Sequence, residues 1–407
     1  MDNKRLQQYA ALIAKTGGNV QKDQEVLIYA DLDQPEFVSM VVEECYRLGA
    51  KRVFVEWSYQ PLTRLHVAYC TKETLSRVEP YEEAKWQQQT KVLPVKIYLL
   101  SEDPDGLNGI DQEKYSKASQ CRSKVFKPYR DQMENKYQWC IAAVPGVAWA
   151  KKIFPELSDA QAVEKLWETI LTVCRVDDDP VLAWKNHNEA LQKRCDYLNN
   201  LQLTKLHYTA SNGTDLTVGL MEQALFLGGG ETALNGNYFN PNIPTEEIFT
   251  TPKRGEAEGV VYSSKPLSYR GQVIDEFFIR FEQGKAVEVG AKVGEDLLKE
   301  LIAMDEGAAY LGECALVPYD SPIRESELLF YNTLFDENAA CHLALGMGFA
   351  NCIQNFENLS LEDCRAMGVN DSIIHEDFMI GTKDLRIDGI NRNGEIIPIF
   401  SDGNWAF

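Results

Sequence analysis

Residues 25–57 read as strand, helix, strand within about 35 residues, and no other stretch restricts the fold so much. Residues 25–30 form a short apolar run. Residues 35–48 carry apolar positions at helical spacing and stop at Gly49, and residues 51–57 are again β-branched and aromatic. A strand pair joined by a crossover helix is parallel, so the chain starts with a parallel sheet covered by helices. Residues 96–100 and 139–144 are further strand candidates. Residues 4–16 read as a helix stopped by Gly17, Gly18 and Asn19. Residues 158–173, with a start signal at Ser158, and residues 180–201 read as long helices.

The pattern changes near residue 203. Residues 206–209 and 216–220 flank Asn212-Gly213, a strong hairpin signal. Residues 259–263, 268–275 and 277–282 follow as hairpin-like pieces, and Asn391 to Gly394 join residues 385–390 to 395–400. The expected architecture is an α/β N-terminal domain with a parallel sheet over residues 1–200, followed by a β-rich α+β domain over residues 201–407. No phosphate-binding glycine motif follows any strand. Gly228-Gly229-Gly230 lacks the strand-to-helix setting of a nucleotide loop and reads as a flexible loop.

Composition removes several function classes. A net charge of −20 leaves no basic stripe for nucleic acid. No apolar run reaches the about 20 residues that span a bilayer. The N-terminus lacks a signal-peptide apolar region, so a cytoplasmic protein is expected. Ten cysteines without a CxxC pair read as buried or free thiols, with Cys314 and Cys341 as packing residues.

The chemistry concentrates in four segments. Two of the five histidines lie near carboxylates, at Asp336 to His342 and at His375 to Asp377. Glu246-Glu247 and Glu313 precede them. Oxygen and nitrogen ligands in this mixture suit hard or borderline divalent metals. In a strand over residues 372–380, His375 and Asp377 share one face and Glu376 takes the other; the same alternation separates Glu246 from Glu247. Asp336 or Asn338 is expected to cap a helix through Ala339, Ala340, His342, Leu343 and Leu345 that ends at Gly346 or Gly348, with Glu337 bending back at the cap.

The segments Pro244 to Pro252, Gly312-Glu313, Phe335 to Gly346 and His375 to Gly381 resemble the thermophilic-type metallo-aminopeptidases. Residues 9–17 and 139–151 fit the same family, and the resemblance spans the whole chain. It implies a dinuclear aminopeptidase, a cytoplasmic homodimer acting on peptides with a free N-terminus, with no nucleic acid or membrane partner. It places two divalent metal ions per chain, zinc or cobalt with magnesium or manganese compatible, on Glu247, Glu313, Glu337, His342, His375 and Asp377, and makes Glu313 the bridging carboxylate. Glu246 and Glu337 are the candidates for proton transfer. Phe349 falls where the family has a tyrosine thought to assist catalysis, and it carries no hydroxyl. Two other classes are compatible with parts of the pattern: a metal-dependent peptide-binding homologue with weak or no turnover, and a metal-free carboxylate glycosidase.

Overall fold

The computed structural model describes residues 3–270 and 272–407; Met1, Asp2 and Gly271 lie outside that description. It contains two compact units. One runs to Asn188 and takes back Gly230–Thr245; the other comprises Glu189–Gly229 and Glu246–Phe407.

The first unit is the expected α/β layer. Strands Glu25–Asp31, Arg52–Ser58, Val95–Leu100 and Trp139–Ala143 pair in parallel, in the spatial order second, first, third, fourth. The short strand Asn242–Ile243 adds to the outer edge, parallel to Trp139–Ala143. The helix Pro35–Arg47 has proline in its first turn, where the missing N–H costs nothing, and Gly49 follows at φ +96°. Ser158 and Gln161 form a capping box for Asp159–Val173. Helix Pro80–Val92 gives no amphipathic signal in the sequence, and it buries no large apolar side chain.

The second unit is β-rich and antiparallel, as expected. The hairpin of Leu203–Thr209 and Asp215–Leu220 lies inside a nine-stranded sheet that also holds Pro252–Tyr262, Gln272–Glu282 and Arg386–Asn391. The expected piece at residues 268–275 resolves into two paired strands, Leu267–Tyr269 and Gln272–Glu282, with Gly271 outside the description.

A second sheet carries the candidate site. Its order is His375–Met379, His342–Gly346, Leu311–Leu316, Ile248–Thr250 and Leu227–Gly228, all antiparallel. Gly228 is therefore an edge-strand residue rather than part of a free loop. A Cβ there would lie 2.6 Å from the Glu247 carbonyl oxygen, so glycine lets that backbone approach. Cys314, Leu316, Leu343, Leu345 and Phe378 share one core with Leu206, Tyr208, Val218, Ile279 and Phe400 of the larger sheet. Fully burying each large apolar side chain there contributes about 1.5–3 kcal/mol. Cys314 and Cys341 are buried free thiols in this core, as their sequence setting suggests. Among the described residues, no helix is long and apolar enough to cross a membrane.

Candidate metal centre

The face of the small sheet opposite the core holds the charged groups, and strand register explains how. Asp377 pairs with Ala344, and Ala344 pairs with Glu313 on its other side. Three neighbouring strands thus present carboxylate, methyl and carboxylate in one row. The small central side chain leaves space above it for ligand atoms to converge. His375 lies two residues from Asp377 and opposite Gly346; His342 lies two residues from Ala344 and opposite Ala315.

The expected helix through His342 is not formed. Thr333–Asp336 and Glu337–Ala339 make only two short turns, and His342–Gly346 is a strand. Alanine and leucine favour helix, but Leu343 and Leu345 alternate with His342 and Ala344, and that period of two matches a sheet buried on both faces. Neither Asp336 nor Asn338 caps a helix. Asn332 does so, accepting the Leu334 N–H, while Asp336 accepts the N–H groups of Phe330 and Asn332 and shapes the preceding loop. The strand of His375 is also shorter than residues 372–380, because Asp305 holds the Ser372 hydroxyl and the Ile373 N–H ahead of it.

Two triads of ligand atoms result, each with its members within 4.8 Å of one another: Glu247, Glu313 and His342, and Glu313, His375 and Asp377. Glu313 belongs to both. His342 Nε2 lies 3.2 Å from Glu247 Oε2 and 4.0 Å from Asp377 Oδ1. His375 Nε2 lies 3.0 Å from Glu313 Oε2 and 3.4 Å from Asp377 Oδ1. The far side of each ring faces a backbone carbonyl: Nδ1 of His342 is 3.2 Å from Ala340 O, and Nδ1 of His375 is 2.7 Å from Met347 O. A carbonyl only accepts, so both rings donate through Nδ1 and turn Nε2 toward the carboxylates.

Glu337 and Glu246 stand outside both triads. Glu337 remains near, since Asp377, Glu247, His342 and Glu313 all act on its charge. Glu246 is buried, and its N–H donates to Asn338 Oδ1 at 2.7 Å. Glu376 projects to the other face, where Tyr269 and Arg270 feel its charge or act upon it. Phe349 flanks the site: its ring centroid is 4.7 Å from that of His375 and 5.5 Å from that of Phe249. Thr251 holds the Phe349 backbone at both its N–H and its carbonyl. Sequence reasoning passed over Asn338 as a partner of the acids, although it stands directly beside Glu337.

The electrostatics are those of a cation site. Burial pushes the Glu313 carboxyl up to about 7, with His375 opposing and Glu247 and Asp377 adding to the rise. Burial, then Asp377 and Glu247, holds Glu337 well above the usual carboxylate range. Burial alone would lower His342, but the hydrogen bond and charge of Glu247, then Asp377, carry it up to about 10. His375 rises against its own burial through Asp377 and Glu313. Buried carboxylates in this number cost several kcal/mol each unless positive charge compensates them. Asp377 Oδ1 is buried and makes no hydrogen bond. An orphaned carboxylate oxygen, two imidazoles fixed with Nε2 inward and a carboxylate shared by both triads are a donor set that suits divalent metal.

Comparison with known proteins agrees with this chemistry. The family model described as thermophilic metalloprotease (M29) matches residues 2–405. Aminopeptidase AmpS of Bacillus subtilis strain 168 is 42% identical over 407 residues, 100% of this chain and 99% of its own. Aminopeptidase 2 of Geobacillus stearothermophilus is 41% identical, covering 99% of this chain and 98% of its own. The solved structure of wild-type AmpT from Thermus thermophilus matches at a TM-score of 0.89 and 36% identity, over 99% of both chains. The chain belongs to this thermophilic metalloprotease family (M29), whose curated relatives are aminopeptidases.

Proposed function

We propose that this protein removes N-terminal amino acids from peptides, using two divalent cations held by Glu247, Glu313, His342, His375 and Asp377, with Glu337 adjoining them. The observation that carries the reading is the pair of triads sharing Glu313, each completed by an imidazole whose Nδ1 is tied to a carbonyl. Cations bound there would polarise a peptide carbonyl and lower the pKa of water toward neutrality. The chain's own groups do the rest. Glu313 serves both triads, and the two histidines hold their rings ready without reorganisation. Either Glu246 or Glu337, outside the triads, accepts the proton of the attacking water as its oxygen bonds to the scissile carbon. The same group returns the proton to the leaving nitrogen as the C–N bond breaks. The excess of carboxylates over imidazoles favours a substrate with a free, positively charged α-amine.

Phe349 favours a slow version of this activity, since its ring cannot donate a hydrogen bond to a developing oxyanion. A metal-free glycosidase would leave the two clamped imidazoles without a role. The reading includes a cytoplasmic homodimer, which sedimentation of the purified chain tests. Its main test is hydrolysis of amino-acid p-nitroanilides with and without chelator, alongside N-acetylated analogues. Chelator-sensitive release from the free-amine substrates alone is expected; full activity after metal stripping, or cleavage of the blocked substrates, overturns it.

A further inference from the structure

Asn338 is completely buried in the turn Glu337–Ala339. Its side chain and carbonyl reach four separate places. Oδ1 accepts the Glu246 N–H at 2.7 Å. Nδ2 donates to Leu334 O at 3.0 Å and to Glu337 Oε1 at 3.3 Å. The main-chain carbonyl accepts the Ser321 hydroxyl at 2.7 Å. The partners fix the orientation of the amide, because the Glu246 N–H needs an acceptor and the Leu334 carbonyl needs a donor. Only a primary amide of this length meets both needs at once. A carboxylate would repel Leu334 O and Glu337; a methyl would leave a buried N–H and a buried carbonyl each short of a partner.

Resting on the proposed function, we infer that Asn338 is a positioning residue: it holds the Glu337 carboxylate through Nδ2 and the Glu246 backbone through Oδ1, and so sets the placement of the two candidates for proton transfer outside the triads. The five side chains of the triads do not depend on it. Strand register sets Glu313, His342, His375 and Asp377, the carbonyls of Ala340 and Met347 turn the rings, and the pairing of Ile248–Thr250 carries Glu247. Asn338 therefore controls where the proton carrier stands and leaves the triads intact. A displacement of about 1 Å at such a group can cost on the order of 100-fold in rate.

A double-substitution cycle tests this. Asn338→Ala is made in the wild-type chain and in Glu246→Gln and Glu337→Gln backgrounds; metal per chain, Tm, kcat and KM are measured for all six proteins. Expected for Asn338→Ala alone are unchanged metal content, a KM within about threefold and a kcat lower by about 10–100-fold. In whichever of the two backgrounds lacks the proton carrier, the same change should cost less than about threefold, because the group it positions is already disabled. A purely structural asparagine would give equal losses in the wild type and in both carboxylate backgrounds, and that result overturns the inference, as does a loss of kcat that follows loss of metal. Should Asn338→Ala not fold, Asn338→Ser, which is uncharged, polar and too short to keep the Glu246 and Glu337 contacts, is read through the same cycle. A wild-type chain without chelator-sensitive turnover overturns the proposed function and this role with it. An active wild type with an additive cycle overturns the positioning role alone.

Discussion

Each unit gathers carboxylates at a sheet, and the two gatherings differ in kind. In the first unit, Asp31, Asp33, Glu102, Asp103 and Asp105 line a cavity of about 360 Å³ beyond the carboxyl ends of the parallel strands. Protein donors already serve the four aspartates among them. The Ser58 hydroxyl and the Ser101 N–H donate to Asp31, the Ser101 hydroxyl donates to Asp33, and Lys152 pairs with Asp105 at 2.7 Å. In the second unit, the carboxylates are buried, lie close together and face imidazoles. Among the described residues, only the second unit brings three metal-ligating atoms within 4.8 Å of one another. Acidity alone thus does not make a cation site. Buried carboxylates without enough protein donors need positive charge from outside the chain.

Metal removal should separate the two gatherings most sharply. Chelation is expected to reduce aminopeptidase turnover to background. It should also lower Tm, since ligands that bind only the folded state at about 100 times their Kd stabilise by about 2.7 kcal/mol. A chelated protein with unchanged Tm and activity would erase the distinction. Next in size is Glu313→Gln, which removes the one carboxylate common to both triads. We expect metal content to fall by more than half and turnover to drop more than about 100-fold, beyond the loss typical of an outer-shell partner. His375→Ala and Asp377→Ala should each lose metal, whereas Glu376→Ala, on the opposite face, should keep it. Metal per chain decides, and equal loss for Glu376→Ala would contradict the register of that strand.

Phe349→Tyr probes the edge of the same site with a smaller effect. Restoring one oxyanion donor is worth up to about 10²–10³ in kcat where such donors have been removed elsewhere. The ring already packs between His375 and Phe249 with its backbone fixed by Thr251, so KM and metal content should hold steady. An unchanged or lower kcat leaves Phe349 as a packing residue and shifts attention to other donors.

What the sequence discloses follows from how locally each feature is encoded. The crossover at residues 25–57 is a local pattern, and the parallel sheet forms as its spacing requires. Alternation also places His375 and Asp377 together, because a strand's faces depend only on its own residues. His342 differs. Its neighbours are strong helix formers, and only the flanking strands, distant in sequence, make Leu343 and Leu345 core-facing. Asn338 was equally hidden, since its partners Glu246 and Ser321 are 92 and 17 residues away. A buried amide between acids signals a tie, but its far end is not written nearby. The acids of the first unit show the converse: nothing in their spacing reveals that serines and a lysine already serve them.

The smallest expected effect belongs to Asp33, and its sign can be worked out. Desolvation by the cavity wall raises its carboxyl above the ordinary 3.8; the Ser101 hydroxyl opposes the rise, and Asp31 and Asp103 add to it. The folded chain then binds more protons at this site than the unfolded chain, between the ordinary value and the raised one. Stability at this residue is therefore fully present below the unfolded pKa and is lost as pH rises through the folded one. Asp33→Asn keeps an oxygen to accept the Ser101 hydroxyl and removes the charge. Near pH 7 it should raise Tm slightly, within the about 0.5 kcal/mol typical of surface changes, which corresponds to about 1–2 °C. Well below pH 3.8 the gain should vanish, since wild-type Asp33 is then protonated in both states. Metal content and kcat should not change. Thermal scans of both proteins at the two pH values check the sign. A gain that persists in acid contradicts the desolvation account, and a loss of metal would mean that the first unit's carboxylates do the work assigned here only to the second.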